Sequence, residues 1–324
     1  MRNVVCYTAV ITMALSIAAG VCAQEVTQFP TKPVKFVVPL AASGGVDALA
    51  RLLAEELRVR WGQSVLVENR AGAGGNVGAE AVYRADPDGH TLLFTLGSVL
   101  TLNKAIYGKL NFEPDDFVPV SVLVTNYSVL LVHPSVAAEN VQQLIALAKA
   151  DRSTLNYASP GVGTGSHLSA ELFNSMAGVE MVHIPYKGSA PAFADVLAGR
   201  VPIFFGELGG SLPHIRSGRL RALAVTSERR HPSLPSVPTV AETLPGFLST
   251  PWTGLAAPPR TPLAVARRIS ATVADVLKQP DFAKRLAERS LEPVGSTPEE
   301  MSRFIKEEIE RWGKVVRSVG IKPG

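Results

Sequence analysis

Apolar and polar positions along the chain switch repeatedly between period two and period 3.6. The switching predicts one recurring order of strand, small-residue loop and helix. Val34–Val38 reads as a short strand of β-branched, aromatic and apolar residues closed by Pro39. Leu49, Leu52, Leu53 and Leu57 then recur at helical spacing. Between them lies the small-residue run 39–47, with Gly44 and Gly45 at its centre. A second strand over 64–68 leads through Asn69 and Arg70 into the glycine-rich run 71–78. A helix over 77–84 follows, stopped by Asp86-Pro-Asp-Gly89. Further strands are expected over 90–96, 116–124, 128–133, 155–158, 182–186, 201–205 and 220–226. Helices are expected over 141–150, 168–176 and 191–198, the last with Pro191 in its first turn. A proline-rich stretch, 231–262, leads to a helix over 261–277. A last helix opens on the capping box Thr297-Pro-Glu-Glu300 and buries Met301, Phe304, Ile305, Ile309 and Trp312.

This alternation predicts an α/β protein of mostly parallel sheets covered by helices. In such sheets ligands bind beyond the carboxyl ends of strands, where the βα loops gather. The loops 39–47, 97–103, 159–167 and 187–190 are therefore the candidates. A strand, a glycine turn and a helix start bring unpaired backbone N–H groups to one point, with the positive helix end behind them. That arrangement binds an anion without a lysine or arginine. In the first loop Leu40, Ala41, Ser43, Gly44, Gly45 and Asp47 are candidates, and Ser98 follows the strand ending at Leu96. Asp47 reads first as a capping residue, since beside an anion it would repel; tethering the loop through backbone N–H groups and facing a ligand amino group are the alternatives. The loop 159–167 offers Ser159, Gly163, Thr164, Ser166 and His167. His167 reads first as a structural hydrogen-bonding residue and second as a ligand contact. Lys187, Gly188 and Ser189 form the next turn, where Lys187 could present a charge to a carboxylate.

Composition narrows the picture. The 324 residues suffice for two ordinary domains, and the net charge of +4 is small and scattered, so no nucleic-acid partner is expected. Arg2, the apolar run 4–19 and Val21-Cys22-Ala23 read as a signal peptide over 1–23, cut after Ala23, so the mature chain is expected in the periplasm. A membrane anchor is the alternative, but the run is short for a span. Lipidation of Cys22 is a further alternative, with Val21 where a smaller residue is usual. Both cysteines, Cys6 and Cys22, fall in this segment, which leaves the mature chain without a disulfide or a thiol nucleophile.

Enzyme signatures fail in turn. The run 72–78 places Val77 where a dinucleotide fingerprint needs its third glycine, and there is no phosphate loop and no nucleophile elbow. The six histidines show no metal-binding spacing. No acid–base pair of carboxylates stands out. No catalytic residue, metal or cofactor is expected.

Several motifs in order resemble the Bug family, the extracytoplasmic solute receptors of tripartite tricarboxylate transporters. They are the segment 29–39, the glycine loop through Asp47 with Ala50-Arg51, the run 67–76, Pro87–Leu93, 159–167, Tyr186-Lys-Gly188 with Pro191-Ala192, 220–226 and Val237–Glu242. The resemblance implies a two-lobed, Venus-flytrap fold, with 24–124 plus 251–324 as one lobe and 125–250 as the other. It implies a monomer that holds a small carboxylate between the lobes through the 39–47 and 159–167 loops, partly through waters. It also implies membrane transporter subunits as partners. Leu40 stands where the family commonly has an aromatic residue, Ala42 where it has proline, and Gly206 where it often has aspartate, so the ligand's identity does not transfer. A sensory adaptor that signals to a membrane partner is the alternative function, and an exported enzyme on the same fold ranks below it.

Overall fold

The structure, a computed structural model, describes residues 29–42, 44–107, 109–150, 155–186 and 188–319. The expected signal peptide lies outside them. Two sheets carry the fold. The first has the order β11-β4-β10-β3-β1-β2, built from β1 (Val34–Val38), β2 (Val65–Asn69), β3 (Thr91–Leu96), β4 (Val118–Asn126), β10 (Trp252–Ala257) and β11 (Leu291–Pro293). The second has the order β7-β6-β8-β5-β9, built from β5 (Ser128–Val132), β6 (Asn156–Ser159), β7 (Val182–Pro185), β8 (Ile203–Glu207) and β9 (Arg221–Val225). The chain crosses to the second sheet between β4 and β5, and returns between β9 and β10.

Both sheets are mixed rather than mostly parallel. β1 pairs in parallel with β2 and β3, and β6 with β7 and β8. The strands next to the crossings, β4, β5, β9 and β10, pair antiparallel with their neighbours. A strand that arrives directly from the other sheet needs no helical crossover, so it is not held to the parallel direction.

Alternation in β1 shows how the sequence sets the layers. Val34, Phe36 and Val38 enter one core with Leu49, Leu53 and Leu57 of α1 (Gly45–Trp61) and with Ile269 and Val273 of α9 (Leu263–Leu277). Val37 points to the opposite face, against Ala79 and Val82 of α2 (Asn76–Tyr83). The second sheet is covered likewise, with Val141 and Leu144 of α5 (Val141–Ala150) in its core. Leu130, Tyr157 and Phe205 meet Leu168, Leu172 and Phe173 of α6 (Gly165–Ala177) on one face. Leu131, Ala158 and Phe204 meet Ala192 and Val196 of α7 (Ser189–Leu197) on the other. The last helix, α11 (Pro298–Val319), serves both cores: Met301 packs on the first sheet, Trp312 and Val315 on the second.

Several elements have no clear signal in the sequence. β10 lies inside the proline-rich stretch, yet all six of its residues are buried at the centre of the first sheet. Between prolines, and with Gly254 in its middle, it shows no period-two pattern. The short helices α3 (Gly97–Thr101) and α4 (Asn103–Tyr107), helix α10 (Pro280–Ala287) and strand β11 were not expected either. Helix α8 (Leu208–Arg216) contains Gly209, Gly210 and Pro213, which read as breakers. Helices α6 and α7 begin at Gly165 and Ser189, before the expected positions 168 and 191. Their first turns are small residues without an apolar period.

Candidate functional site

A cleft of about 600 Å³ opens between the two sheets. One wall is the β1–α1 turn, where Leu40, Ala41, Gly44, Gly45 and Asp47 line the space. Gly44 is the helix N-cap in extended conformation, with no side-chain cap bond, and both glycines are exposed. A side-chain relay shapes this turn. The Asn69 amide donates to the Leu40 carbonyl at 3.1 Å, and Arg51 Nη2 donates to Asn69 Oδ1 at 3.1 Å. Arg51 Nε also donates to Asp47 Oδ2 at 3.0 Å. Asp47, expected to cap, is thus the third residue of α1, 4% exposed and tied to Arg51 one turn later.

Close packing holds the same turn from behind. A Cβ at Gly78 would lie 2.7 Å from Pro39 Cβ and 3.0 Å from the Arg70 carbonyl, so only glycine lets α2 approach β1 this closely.

The other wall comes from the second sheet. Ser189 opens α7, and Glu207, Gly209 and Gly210 open α8. Asn126 and Tyr127, at the crossing strand, and Glu288–Leu291, after α10, close the remaining sides. The amino-terminal ends of α1, α7 and α8 therefore border one space, and each presents backbone N–H groups and the positive end of its dipole. Arg289 adds a guanidinium, whose Nη1 donates to the Arg285 carbonyl at 2.8 Å. Tyr127 reaches between the sheets and donates its hydroxyl to Glu292. Burial and then that carboxylate push the phenol's pKa upward. Glu207 is open to cleft water, yet enough protein surrounds it that desolvation raises its carboxyl pKa.

The expected site residues divide into groups. Leu40, Ala41, Gly44, Gly45, Asp47 and Ser189 line the cleft together. Gly188 is the N-cap of α7, and its N–H donates to the Pro160 carbonyl at 3.0 Å. Ser43 and Lys187 lie outside the described residues. Ser98 lines a separate cavity of about 70 Å³ with Gly165, Trp252, Glu308 and Trp312. Ser159, Gly163, Thr164, Ser166 and His167 are not in the lining of this 600 Å³ space, and several polar groups of the loop 159–167 bond within the second sheet's layer. Ser159 Oγ lies 2.6 Å from His183 Nε2 and accepts from the Gly161 amide at 3.1 Å. The Thr164 hydroxyl donates to the Gly161 carbonyl at 2.8 Å, and Ser166 donates to the Phe205 carbonyl. His167 Nδ1 accepts from the Gly163 N–H at 3.0 Å. Its ring stacks on His183 with centroids 3.9 Å apart, and burial followed by the His183 charge brings its pKa down to about 4. Gly206 is also absent from the lining; a Cβ there would meet the Phe204 ring at 2.8 Å. Asn126, Tyr127, Glu207, Gly209, Gly210 and Arg289 were missed. The Gly209-Gly210 pair after a strand repeats the Gly44-Gly45 arrangement, and was the one available signal.

Among the described residues no helix is long and apolar enough to cross a membrane. Comparison with known proteins adds the family. The model of the tripartite tricarboxylate transporter family receptor matches residues 49–321. The protein BugT of Bordetella pertussis is 36% identical over 309 residues, covering 94% of each chain. The structure of R. palustris Rpa4515 with adipate superposes with a TM-score of 0.77 at 37% identity, over 90% of this chain and 98% of that one. MatC from Rhodopseudomonas palustris with bound malate gives a TM-score of 0.74 at 33% identity, over 89% of this chain and all of the other. On this match along nearly its whole length, with the two-sheet fold and the cleft between them, the chain belongs to the tripartite tricarboxylate transporter family of receptors, as its resemblance to the Bug proteins implied.

Proposed function

We propose that this receptor is exported to the periplasm and captures a small organic carboxylate in the cleft between its sheets. It then delivers the ligand to membrane subunits of a tripartite tricarboxylate transporter. The segments 24–124 with 251–324 and 125–250 act as two lobes, joined at the crossings beside Asn126 and Pro251 and by α11. Closure on the ligand shifts the population toward a closed form. The single observation that carries this reading is the convergence of the α1, α7 and α8 amino termini on one 600 Å³ space. Neutral amide donors suit reversible capture: they solvate a carboxylate without a deeply buried counter-ion. The adipate and malate held by relatives are of a size such a space admits. The receptor performs no bond chemistry in this reading.

The test is a thermal-shift and calorimetry screen of the purified protein against mono-, di- and tricarboxylates and amino carboxylates. A true ligand at a hundredfold excess over its dissociation constant stabilises by about 3 kcal/mol and is recovered unchanged. Absence of any stabilising carboxylate, or turnover of one, overturns the reading.

A further inference from the structure

The cleft that gathers three positive helix ends also holds Glu207, a carboxylate set against the capture of an acid. It ends β8 and caps α8, but its side chain makes no cap bond. Among the described residues its carboxylate has no hydrogen-bond or ion-pair partner. The other acidic groups of the lining are placed differently. Asp47 is buried against Arg51. Glu288 is exposed at the end of α10, next in sequence to Arg289. Glu292, beside the lining, accepts the Tyr127 hydroxyl. Glu207 is enclosed enough for its ionised form to be disfavoured, yet open to the cleft. An unpaired carboxylate that lines ligand space is placed to take a counter-charge from the ligand.

We propose that Glu207 sets specificity: the ligand is a carboxylate that also bears a protonated amine, and Glu207 pairs with that amine. This rests on the reading that the cleft captures a small carboxylate. One end of such a ligand meets the exposed amides at Gly44 and Gly45, and the ammonium end meets Glu207 across the cleft. The pair is charge-assisted, the stronger class of hydrogen bond. A second carboxylate in the ammonium's place would face Glu207 with like charge. Selectivity then includes rejection of plain dicarboxylates as well as attraction of the amine.

The experiment uses two length-matched pairs, 6-aminohexanoate against adipate and 4-aminobutanoate against succinate, titrated calorimetrically into wild type and Glu207→Gln. Wild type is expected to bind the amine member of at least one pair about tenfold or more tighter than its dicarboxylate. Glu207→Gln is expected to weaken the amine about tenfold, tighten the dicarboxylate and erase the preference. A wild type that binds the dicarboxylates equally or better, unchanged in the variant, overturns the proposal and leaves carboxylate capture standing. An amine preference that survives Glu207→Gln overturns the assignment to this residue. Failure of every compound with both proteins overturns the proposal, and failure of the wider carboxylate screen as well overturns the reading beneath it.

Discussion

Arg51 and Asp47, one helical turn apart on α1, form a two-point clamp: Nε donates to Oδ2 at 3.0 Å while Nη2 lies 3.0 Å from Oδ1. The pair joins a nearly buried carboxylate to a half-exposed guanidinium, which also holds Asn69 and, through it, the Leu40 carbonyl. The loop that presents Gly44 and Gly45 is therefore tethered in part through this arginine. Arg51→Ala should cost about 2 kcal/mol in denaturant unfolding, because it removes a two-point charged pair from the nearly buried Asp47. It should also weaken ligand binding, since the turn loses its tether. Unchanged stability and affinity would remove the relay from the account.

Gly45 should tolerate bulk in folding and not in binding. A Cβ there meets nothing within 4 Å, and its backbone is helical, so a larger side chain projects into the cleft without strain. Gly45→Val should leave the melting temperature within a few degrees and reduce affinity for the best carboxylate of the screen more than about tenfold. Full binding by the variant would exclude the α1 amino terminus from the site.

Gly97 should behave in the opposite way. A Cβ at this position would lie 2.0 Å from Trp252 Cε2, in a ring that is 3% exposed. The indole packs against Phe304 of α11 within the first sheet's core. Gly97→Ala should therefore destabilise by about 1–3 kcal/mol or more through overpacking, read as a lower midpoint in urea. A neutral substitution would mean that β10 and α3 part more easily than this packing implies.

Ser159 and Ser166 are anchors of the second sheet's layer. Ser159 bonds with His183 and Gly161, and Ser166 with the Phe205 carbonyl. Alanine at either site should cost about 1 kcal/mol of stability and leave the affinity nearly unchanged. An affinity loss at constant stability would return these hydroxyls to the ligand.

The stacked histidines make the fold acid-sensitive. His167 and His183 both titrate at about 4 in the folded state, lowered chiefly by burial, against an ordinary 6.5. Above pH 6.5 neither folded nor unfolded chain carries the proton. As pH falls from about 6.5 toward 4, the unfolded chain takes it up first, and stability falls with it. For the buried His167 the loss approaches about 3 kcal/mol at the bottom of that window. Glu171, whose carboxyl burial pushes upward, works in the opposite sense, so the readout is a difference. His167→Gln should flatten the stability-versus-pH slope between pH 6.5 and 4 relative to wild type. Parallel slopes would mean that the ring titrates normally.

Much of this was legible in the chain itself. The apolar alternation of Val34–Val38 and the leucine spacing after Gly45 determined β1, α1 and the turn between them, because these depend on neighbours within a few residues. The glycine-rich loops, the β–α order and the motifs of the receptor family were likewise local. Tertiary structure alone decided which loops share a space. Loops 39–47 and 159–167 look equally able to bind an anion in sequence. Hydroxyls of the second bond to His183, Phe205 and the Gly161 carbonyl, while the Gly-Gly start of α8 and the Ser189 start of α7 line the space opposite α1. Register and strand order settle that difference, and both arise from pairings between residues far apart in the chain, as with β10 entering the centre of a sheet begun two hundred residues earlier. For the same reason Glu207, an unremarkable acidic residue at a strand end, acquires its meaning only when two sheets face each other around it.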